Sequence, residues 1–360
     1  MRILIFSWRD IKNPEAGGSE IYFHEMAKRW IKKGNEVYWL TSSFKNAKKY
    51  DEIDGIKVFR RGGKFSQYLL LPLFYLRYFS KNIDLVVDVE NGIPFFTPFF
   101  AKGKKVLHIH HVHKEVWANE VKFPFSWIGY FLEMKLMPKV YKNTPVITLC
   151  KSSAQDILHE RLSKKVIGTV PPGIEFWKGK RYPKTNKPTV LFLNRIKKYK
   201  GIKIFLDAAK LLKEYDFIVA GDGDYLNEMK KYARMNKLTN VKFLGRVSDE
   251  KKSELLQKSW IFVNPSFKEG WGIVNIEASQ CGTPVIGSDT TGIKDSVSSG
   301  NTGLLFKPGD HRELAEKIKL LVENRKLYGK FSKNSRKWAK KFDWKAISEE
   351  YLDLLREVIK

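Results

Sequence analysis

The sequence NPSFKEGWGIVNIEASQCGTPVIGSD, residues 264–289, predicts a sharp turn that joins a buried strand to a short helix. Gly270 and Gly272 flank Trp271, where the backbone must turn and approach its surroundings closely. From Ile273 onward the apolar residues follow helical spacing, and Cys281-Gly-Thr-Pro ends the helix. The N–H groups and positive dipole end of such a helix suit an anionic ligand.

Two carboxylates accompany this turn and can accept hydrogen bonds from hydroxyl groups. Glu269 precedes the glycines, and Glu277 lies two turns into the helix. The turn thus offers N–H groups that can donate to an anion beside carboxylates that can accept from hydroxyl groups. This combination indicates a site for a phosphorylated sugar or a nucleotide. An ordinary strand-to-helix turn explains the same residues, because a carboxylate near a helix start also suits the dipole. Both interpretations remain open at this point.

Strands and helices alternate through the rest of the chain. Residues 2–8 predict a buried strand, Gly17 and Gly18 lie in the following loop, and Ser19 is expected to cap a helix that ends at Gly34. A strand at residues 36–41 completes a β-α-β unit. The two glycines have the form of an anion site, although a plain turn is equally compatible.

A second β-α-β series follows the polar, proline-containing link at residues 177–188. We therefore predict an α/β protein with two doubly wound domains, residues 1–175 and 176–342, and a final helix at 343–360. Ligands are expected at the carboxyl ends of the strands.

Composition limits the functional classes. A formal charge of +27 over 360 residues suits nucleic acid, an anionic membrane surface or phosphorylated small molecules, but the basic residues are spread along the chain rather than gathered in a tail. Two cysteines indicate a reducing compartment. No signal peptide is apparent, and the longest apolar region, residues 65–79, is interrupted by Gln67, Pro72 and Arg77. A cytoplasmic protein is expected, with a place on a membrane surface left open.

Two further motifs carry potential chemistry. Arg195 and Lys200 follow the first strand of the second domain and could bind a diphosphate, or could be ordinary surface charges. The sequence HIHHVH, residues 108–113, could place one histidine in the active site, could be packed and hydrogen-bonded, or could hold a metal. The metal is disfavoured, because the aspartate of the metallo-hydrolase pattern HxHxDH is absent and no later cluster completes the ligand shell.

Taken together, these motifs resemble those of retaining glycosyltransferases of family 4, which have the GT-B fold. FKEGWGIVNIEASQCGTPVIGSD resembles the E-x7-E signature at Glu269 and Glu277, and RIKKYKG resembles the R-x4-K-G element at Arg195 and Lys200. NPEAGGSE resembles the glycine loop of the first domain, HIHHVHKEVW the region of its active-site histidine, and PPGIE the linker. When HIHHVHKEVW is aligned with that region, His110 falls on the active-site histidine, with His113 as the less favoured choice.

The resemblance implies two Rossmann-like domains facing a cleft, with the final helix returning to the first domain. It implies a nucleotide-diphosphate-sugar donor, no metal or other cofactor, and retention of anomeric configuration without a protein nucleophile. Arg195 and Lys200 would neutralise the diphosphate, and Glu277 would bind the ribose. Glu269 would bind the donor sugar. The remaining expected site residues are His110, opposite the transferred sugar, and the donor-binding positions Gly17, Gly18, Gly270, Trp271, Gly272 and Ile273.

Other functions remain as alternatives. A nucleotide-sugar epimerase of the same fold would convert the donor without an acceptor. A nucleic-acid-binding protein would exploit the charge, but no recognition motif is present, so no nucleic-acid partner is expected. The acceptor is expected to be a glycan, with a lipid-linked form open. The aromatic and basic segment at residues 116–142 includes a predicted helix over residues 125–141. It is either a docking surface for an anionic membrane or core with solvent-facing lysines.

Overall fold

A computed structural model describes residues 1–114, 117 and 122–360 of the chain. The chain forms two compact units. Unit 1 comprises Met1–Gly173 and Trp344–Lys360, and unit 2 comprises Ile174–Asp343. The first boundary lies two residues before the predicted one and the second lies one residue after it.

Unit 1 is built on an almost entirely parallel sheet. Among the described residues its strand order is β3-β4-β2-β1-β5-β6-β7-β8, and only the β3–β4 pair is antiparallel. Helices cover both faces of such a sheet, so its strands are buried on both sides, as β5 is at every position. The strands are β1 Arg2–Phe6, β2 Glu36–Thr41, β3 Tyr50–Ile53, β4 Ile56–Arg60, β5 Leu85–Glu90, β6 Lys104–Ile109, β7 Val146–Thr148 and β8 Val166–Thr169.

The helices of unit 1 differ from the sequence prediction in two places. Ser19 does not cap the first helix, which begins at Gly18 with Gly17 as its N-cap. The helix expected over residues 125–141 is interrupted by a π-helical segment, Leu132–Leu136. The helices in this part are α1 Gly18–Lys32, α2 Gln67–Tyr78, α3 Phe125–Phe131, α4 Met137–Val140 and α5 Lys151–His159, with a 3₁₀ turn at Thr97–Phe99.

Unit 2 contains a wholly parallel sheet in the order β11-β10-β9-β12-β13-β14. Aromatic side chains fill its core, where the rings of Phe205 and Phe217 lie 5.1 Å apart. The strands are β9 Thr189–Leu193, β10 Asp216–Ala220, β11 Val241–Gly245, β12 Ile261–Asn264, β13 Val285–Ser288 and β14 Gly303–Phe306. The helices are α6 Ile202–Leu211, α7 Leu226–Met235, α8 Asp249–Lys258, α9 Ile273–Gln280, α10 Ile293–Ser296, α11 His311–Glu323 and α12 Arg325–Ala339, with a 3₁₀ turn at Lys198–Lys200.

The last helix, α13 Trp344–Ile359, belongs to unit 1. It packs on α1, where Trp30 Nε1 donates to the backbone oxygen of Ser348 at 3.1 Å. Tyr351 is fully buried, and its hydroxyl lies 3.2 Å from His108 Nδ1. The fold class predicted from the sequence, two doubly wound α/β domains, is confirmed.

Both sheets have a point at which the order of the strands reverses. In unit 1 it lies between β1 and β5, and in unit 2 between β9 and β12. The loops that leave two such strands diverge to opposite faces of the sheet and leave a crevice at their carboxyl ends, where ligands bind in open α/β sheets. A ligand site in unit 2 is therefore expected at the loops after β9 and β12.

Candidate active site

The loops after β9 and β12 meet through Lys200 and Glu269. Lys200 Nζ lies 2.6 Å from Glu269 Oε1, and both side chains are almost buried, at 8% and 14% exposure. Asn194 Nδ2 donates to the same oxygen at 3.3 Å, and Ser266 Oγ lies 3.2 Å from it. Residues 69 apart in sequence thus form one polar cluster at the switch point of unit 2.

A buried amide network supports the turn before α9. Gly272 has φ +83°, a conformation that residues with a β-carbon seldom adopt. Asn264 Nδ2 donates to Asn275 Oδ1 at 3.1 Å, and Asn275 Nδ2 donates to Ser296 Oγ at 2.8 Å. A β-carbon on Gly272 would lie only 2.8 Å from Asn275 Nδ2 and 3.0 Å from Asn264 Nδ2. The network therefore requires glycine at this position.

Glu277 lies on α9 and contacts a lysine of α8 rather than Glu269. Its Oε1 accepts a hydrogen bond from Lys252 Nζ at 2.8 Å, whereas its buried Oε2 has no hydrogen-bond partner among the described residues. Burial acts to lower the pKa of Lys252, but the charges of Glu277 and Asp249 outweigh it and the pKa is raised. Lys252 is therefore held in its charged form, and Glu277 Oε2 is a buried acceptor that no described donor satisfies.

The other predicted residues of unit 2 occupy different environments. Arg195 is exposed, and its backbone N–H donates to Asn194 Oδ1 at 2.9 Å. Trp271 is buried, with its ring 5.4 Å from that of Phe342. Trp271 thus packs in the core of unit 2, while Gly270, Gly272 and the α9 start at Ile273 form the turn as expected.

In unit 1 the loops after β1 and β6 also meet. Ser19 Oγ and His110 Nε2 share a hydrogen bond of 2.6 Å, which joins the glycine loop to the histidine motif. The N–H of Gly17 is engaged by Glu20 Oε2 at 2.7 Å, and Gly18 is exposed. A buried carboxylate at this helix start makes Gly17 N–H a poor donor to a further anion.

Burial keeps His110 neutral. Desolvation and the nearby His113 lower its pKa to about 3. His108 is fully buried against aromatic rings, and burial lowers its pKa well below the usual value too. His108 is therefore a packed side chain, whereas His110 lies directly after β6, at the carboxyl edge of the sheet.

A cluster of Glu90, His113 and Glu133 lies beside this loop. His113 Nδ1 is 3.5 Å from an oxygen of each carboxylate, and the three ligand atoms lie close enough together to hold a metal ion. Glu133, on the π-helical segment, already accepts hydrogen bonds from the N–H groups of His113 and Lys114 and from Trp117 Nε1. The cluster therefore fixes the loop that follows His110. This structural role accounts for the three side chains.

The two carboxylates of this cluster titrate differently. Burial raises the pKa of Glu90 to about 7 even though His113 acts to lower it. Burial also acts to raise the pKa of Glu133, but His113 and the backbone N–H groups outweigh it and the pKa is lowered.

Several of these residues were not predicted from the sequence. Asn194, Ser266 and Lys252 contact the predicted glutamates, and Asn275 and Ser296 support the turn. Asn194 and Ser266 have a sequence signal, because Asn194 directly follows β9, Ser266 comes two residues after β12, and the carboxyl ends of both strands lie at the switch point. Lys252 and Ser296 lie on helices without a motif of their own.

Two family models match consecutive parts of the chain. The model described as Glycosyltransferase Family 4 matches residues 16–177, and the model described as Glycosyl transferases group 1 matches residues 173–338. With two doubly wound sheets and the Lys200–Glu269 cluster, these matches define a glycosyltransferase of the GT-B class. The chain belongs to glycosyltransferase family 4, as the motifs predicted.

Relatives span the chain to different extents. An N,N'-diacetylbacillosaminyl-diphospho-undecaprenol α-1,3-N-acetylgalactosaminyltransferase of Campylobacter jejuni is 37% identical over 51% of this chain and 48% of its own length. An uncharacterised glycosyltransferase of Methanocaldococcus jannaschii is 26% identical over 96% of both chains. Among solved structures, Anabaena Alr3699/HepE in complex with UDP and glucose has a TM-score of 0.75 at 20% identity, covering 99% of this chain and 100% of its own. This last similarity concerns the fold.

Proposed function

We propose that the protein transfers a sugar from a nucleoside-diphosphate sugar to an acceptor hydroxyl, with retention of anomeric configuration and without a metal ion. The observation that carries the proposal is the contact of Lys200 with Glu269 at the switch point of unit 2. A cation and a carboxylate in contact provide one group for a diphosphate and one for sugar hydroxyls. The ammonium group has three donors, so Lys200 can bind a phosphate oxygen while it keeps Glu269 as a partner.

Each part of the nucleoside-diphosphate sugar has a proposed partner in the protein. Arg195 and Lys200 bind the diphosphate, and Glu269 binds hydroxyls of the transferred sugar. Glu277 accepts hydrogen bonds from the ribose hydroxyls. The N–H groups at residues 270–273 orient the sugar. Trp271 contributes by holding this turn in the core.

The glycine loop of unit 1 has a smaller proposed role. Because Glu20 occupies the N–H of Gly17, we assign Gly17 and Gly18 to close backbone approach rather than to anion donation. His110, held by Ser19, is proposed to contact the transferred sugar as a neutral imidazole.

The reaction needs charge stabilisation more than acid or base catalysis. Departure of the nucleoside diphosphate builds negative charge, which Arg195 and Lys200 would neutralise in place of a metal. Glu269 Oε1 lies within hydrogen-bonding distance of three side chains, which makes it a poor nucleophile. We therefore assign retention to attack from the face of the departing group. A hexose is proposed because the Campylobacter relative is named for transfer of N-acetylgalactosamine.

The acceptor is proposed to be a glycan carried on a lipid diphosphate. The Campylobacter relative is named for an acceptor of that kind. Cys150 and Cys281 are not joined in a disulfide, and burial raises the pKa of Cys281 to about 11, so its thiol stays protonated. The proposed place of action is the cytoplasmic face of a membrane. No helix in the described ranges is long and apolar enough to cross a bilayer.

A thermal-shift screen of UDP-, GDP- and ADP-sugars tests donor binding directly. A donor at 100 times its dissociation constant stabilises the native state by about 2.7 kcal/mol. Lys200→Met should abolish the shift, whereas Lys203→Met, which removes an exposed lysine of α6, should keep it. No shift with any donor, or an equal shift in both variants, would contradict the proposed site.

Product analysis tests the remaining parts of the proposal. Proton NMR of the product should show the anomeric configuration of the donor, and EDTA should leave the rate unchanged. Inversion, or loss of activity with EDTA and recovery with a divalent ion, would refute retention or metal independence respectively. Donor epimerised in the absence of an acceptor would favour the epimerase alternative.

A further inference from the structure

The outer face of α2 is apolar and exposed. Its sequence, QYLLLPLFYLRY, is apolar on nearly all sides. Leu71 and Tyr75 are buried in unit 1, whereas Leu69 and Leu73 on the opposite face are 66% and 54% exposed. A helix that is apolar all round is normally enclosed by protein or lipid. The outer face of α2 therefore requires a partner that this chain does not supply within the described residues.

The start of α3 continues this surface. Phe125 and Trp127 are 54% and 60% exposed, and Phe131 is exposed one turn later. The rings of Phe65, just before α2, and Phe125 stack with centroids 5.9 Å apart. We call the exposed hydrophobic side chains of residues 65–78 and 123–131 the apolar patch.

Exposed large hydrophobic side chains are concentrated in the apolar patch. Of the 21 large hydrophobic side chains exposed among the described residues, twelve belong to it. The others, such as Leu158 and Leu211, are scattered over both units, as is normal for folded proteins. A contiguous apolar patch of this kind marks an interaction site.

The charged side chains of residues 61–82 and 122–142, beside the apolar patch, are basic apart from one buried acid. Residues 61–82 contain four basic residues and no acidic one, and Lys64 lies 5.8 Å from the Phe65 ring. Residues 122–142 contain four exposed lysines and one acidic residue, Glu133, which is buried. Leucine, tryptophan and phenylalanine flanked by lysine and arginine are suited to the boundary between acyl chains and anionic headgroups.

We infer that the apolar patch docks on an anionic lipid bilayer, with α2 and α3 at the surface and their flanking cations at the headgroups. Charge complementarity selects this occupant over an apolar protein surface, because the basic residues of these two stretches favour an anionic partner. Residues 116 and 118–121 of the segment predicted as a docking surface lie outside the described residues. The inference rests on the proposed function only in that a lipid-linked acceptor explains why the enzyme is held there.

Vesicle sedimentation tests the docking surface. Full-length protein should pellet with vesicles of phosphatidylcholine and phosphatidylglycerol at 7:3, and only weakly with phosphatidylcholine alone. The variant Leu69→Ser/Leu73→Ser should bind roughly tenfold more weakly for each leucine lost. Leu158→Ser/Leu211→Ser, with similar exposure elsewhere, is the matched control and should bind like the wild type.

Electrostatics and folding provide independent measurements. Lys64→Glu/Arg77→Glu should weaken binding to anionic vesicles and roughly halve its salt dependence, because it lowers the charge of the eight flanking basic residues from +8 to +4. All variants should keep the wild-type thermal transition and the donor-induced shift, so loss of docking is distinguishable from loss of the proposed catalytic site. A wild type that does not sediment, equal binding by patch and control variants, or a concentration-dependent dimer broken by the leucine substitutions would overturn the inference.

Discussion

Replacing Gly272 with alanine is expected to destabilise unit 2 by about 3–4 kcal/mol. A non-glycine residue at φ +83° costs about 1–2 kcal/mol by itself. The new β-carbon would also lie 2.8 Å from Asn275 Nδ2 and 3.0 Å from Asn264 Nδ2. These amides must move apart, and weakening their two hydrogen bonds costs about 1 kcal/mol each.

Gly245→Ala is the matched control. Gly245 is also half-buried in unit 2 and has φ +70°, but no heavy atom lies within 4 Å of an added β-carbon. This variant should therefore show only the backbone cost of about 1–2 kcal/mol. The difference between Gly272→Ala and Gly245→Ala isolates the contribution of the amide network.

Urea unfolding followed by tryptophan fluorescence measures both variants, and calorimetric titration measures donor affinity. Gly272→Ala should weaken donor binding more than tenfold, because the turn that orients the sugar changes shape. Gly245→Ala should bind the donor like the wild type. Equal losses of stability in the two variants would refute the network argument, and unchanged donor affinity in Gly272→Ala would refute the role of the turn.

Lys200→Met and Glu269→Gln should each lower the free energy of unfolding in urea by about 3 kcal/mol, because each change leaves a buried polar partner unpaired. The double variant should lose clearly less than the sum of the two single losses. Additive losses would argue against the pair. Glu90→Gln should raise the free energy of unfolding at pH 8 by up to about 3 kcal/mol and leave it unchanged at pH 4. Burial raises the pKa of Glu90 to about 7, so the folded state keeps a proton that the unfolded chain releases above its lower pKa, and wild-type stability falls as pH rises through this window; parallel pH profiles of the two proteins would contradict this. Ser19→Ala should lower the transfer rate about fivefold with an unchanged KM for the donor, through loss of one hydrogen bond to His110; a changed KM alone would assign Ser19 to donor binding instead.

The alternation of strands and helices was predictable because each parallel strand is a short apolar run bounded by turn residues. β2, Glu36–Thr41, has the predicted bounds, and α9 begins at Ile273 as the glycine turn indicated. The edge strand β3, Tyr50–Ile53, was missed, because YDEI is polar and gains its order from pairing with β4. β14, Gly303–Phe306, was missed as well.

The site was less accessible to sequence analysis than the fold. The spacing of Glu269 and Glu277 is visible in the chain, but their partners are not, since Lys200 and Lys252 lie 69 and 25 residues away from them. Ser19 illustrates the same limit. A serine beside a helix start predicts a cap, and only the folded β6 loop shows that its hydroxyl is used by His110 instead.

The return of α13 to unit 1 has a consequence for synthesis. Residues 174–343 are contiguous and can complete their core as soon as they leave the ribosome, whereas unit 1 lacks Tyr351 until residues 344–360 have been made. The usual vectorial order, in which the first domain is complete before the second is made, therefore does not apply to this chain. Until then, the aromatic surface around His108 stays open to aggregation or to chaperones.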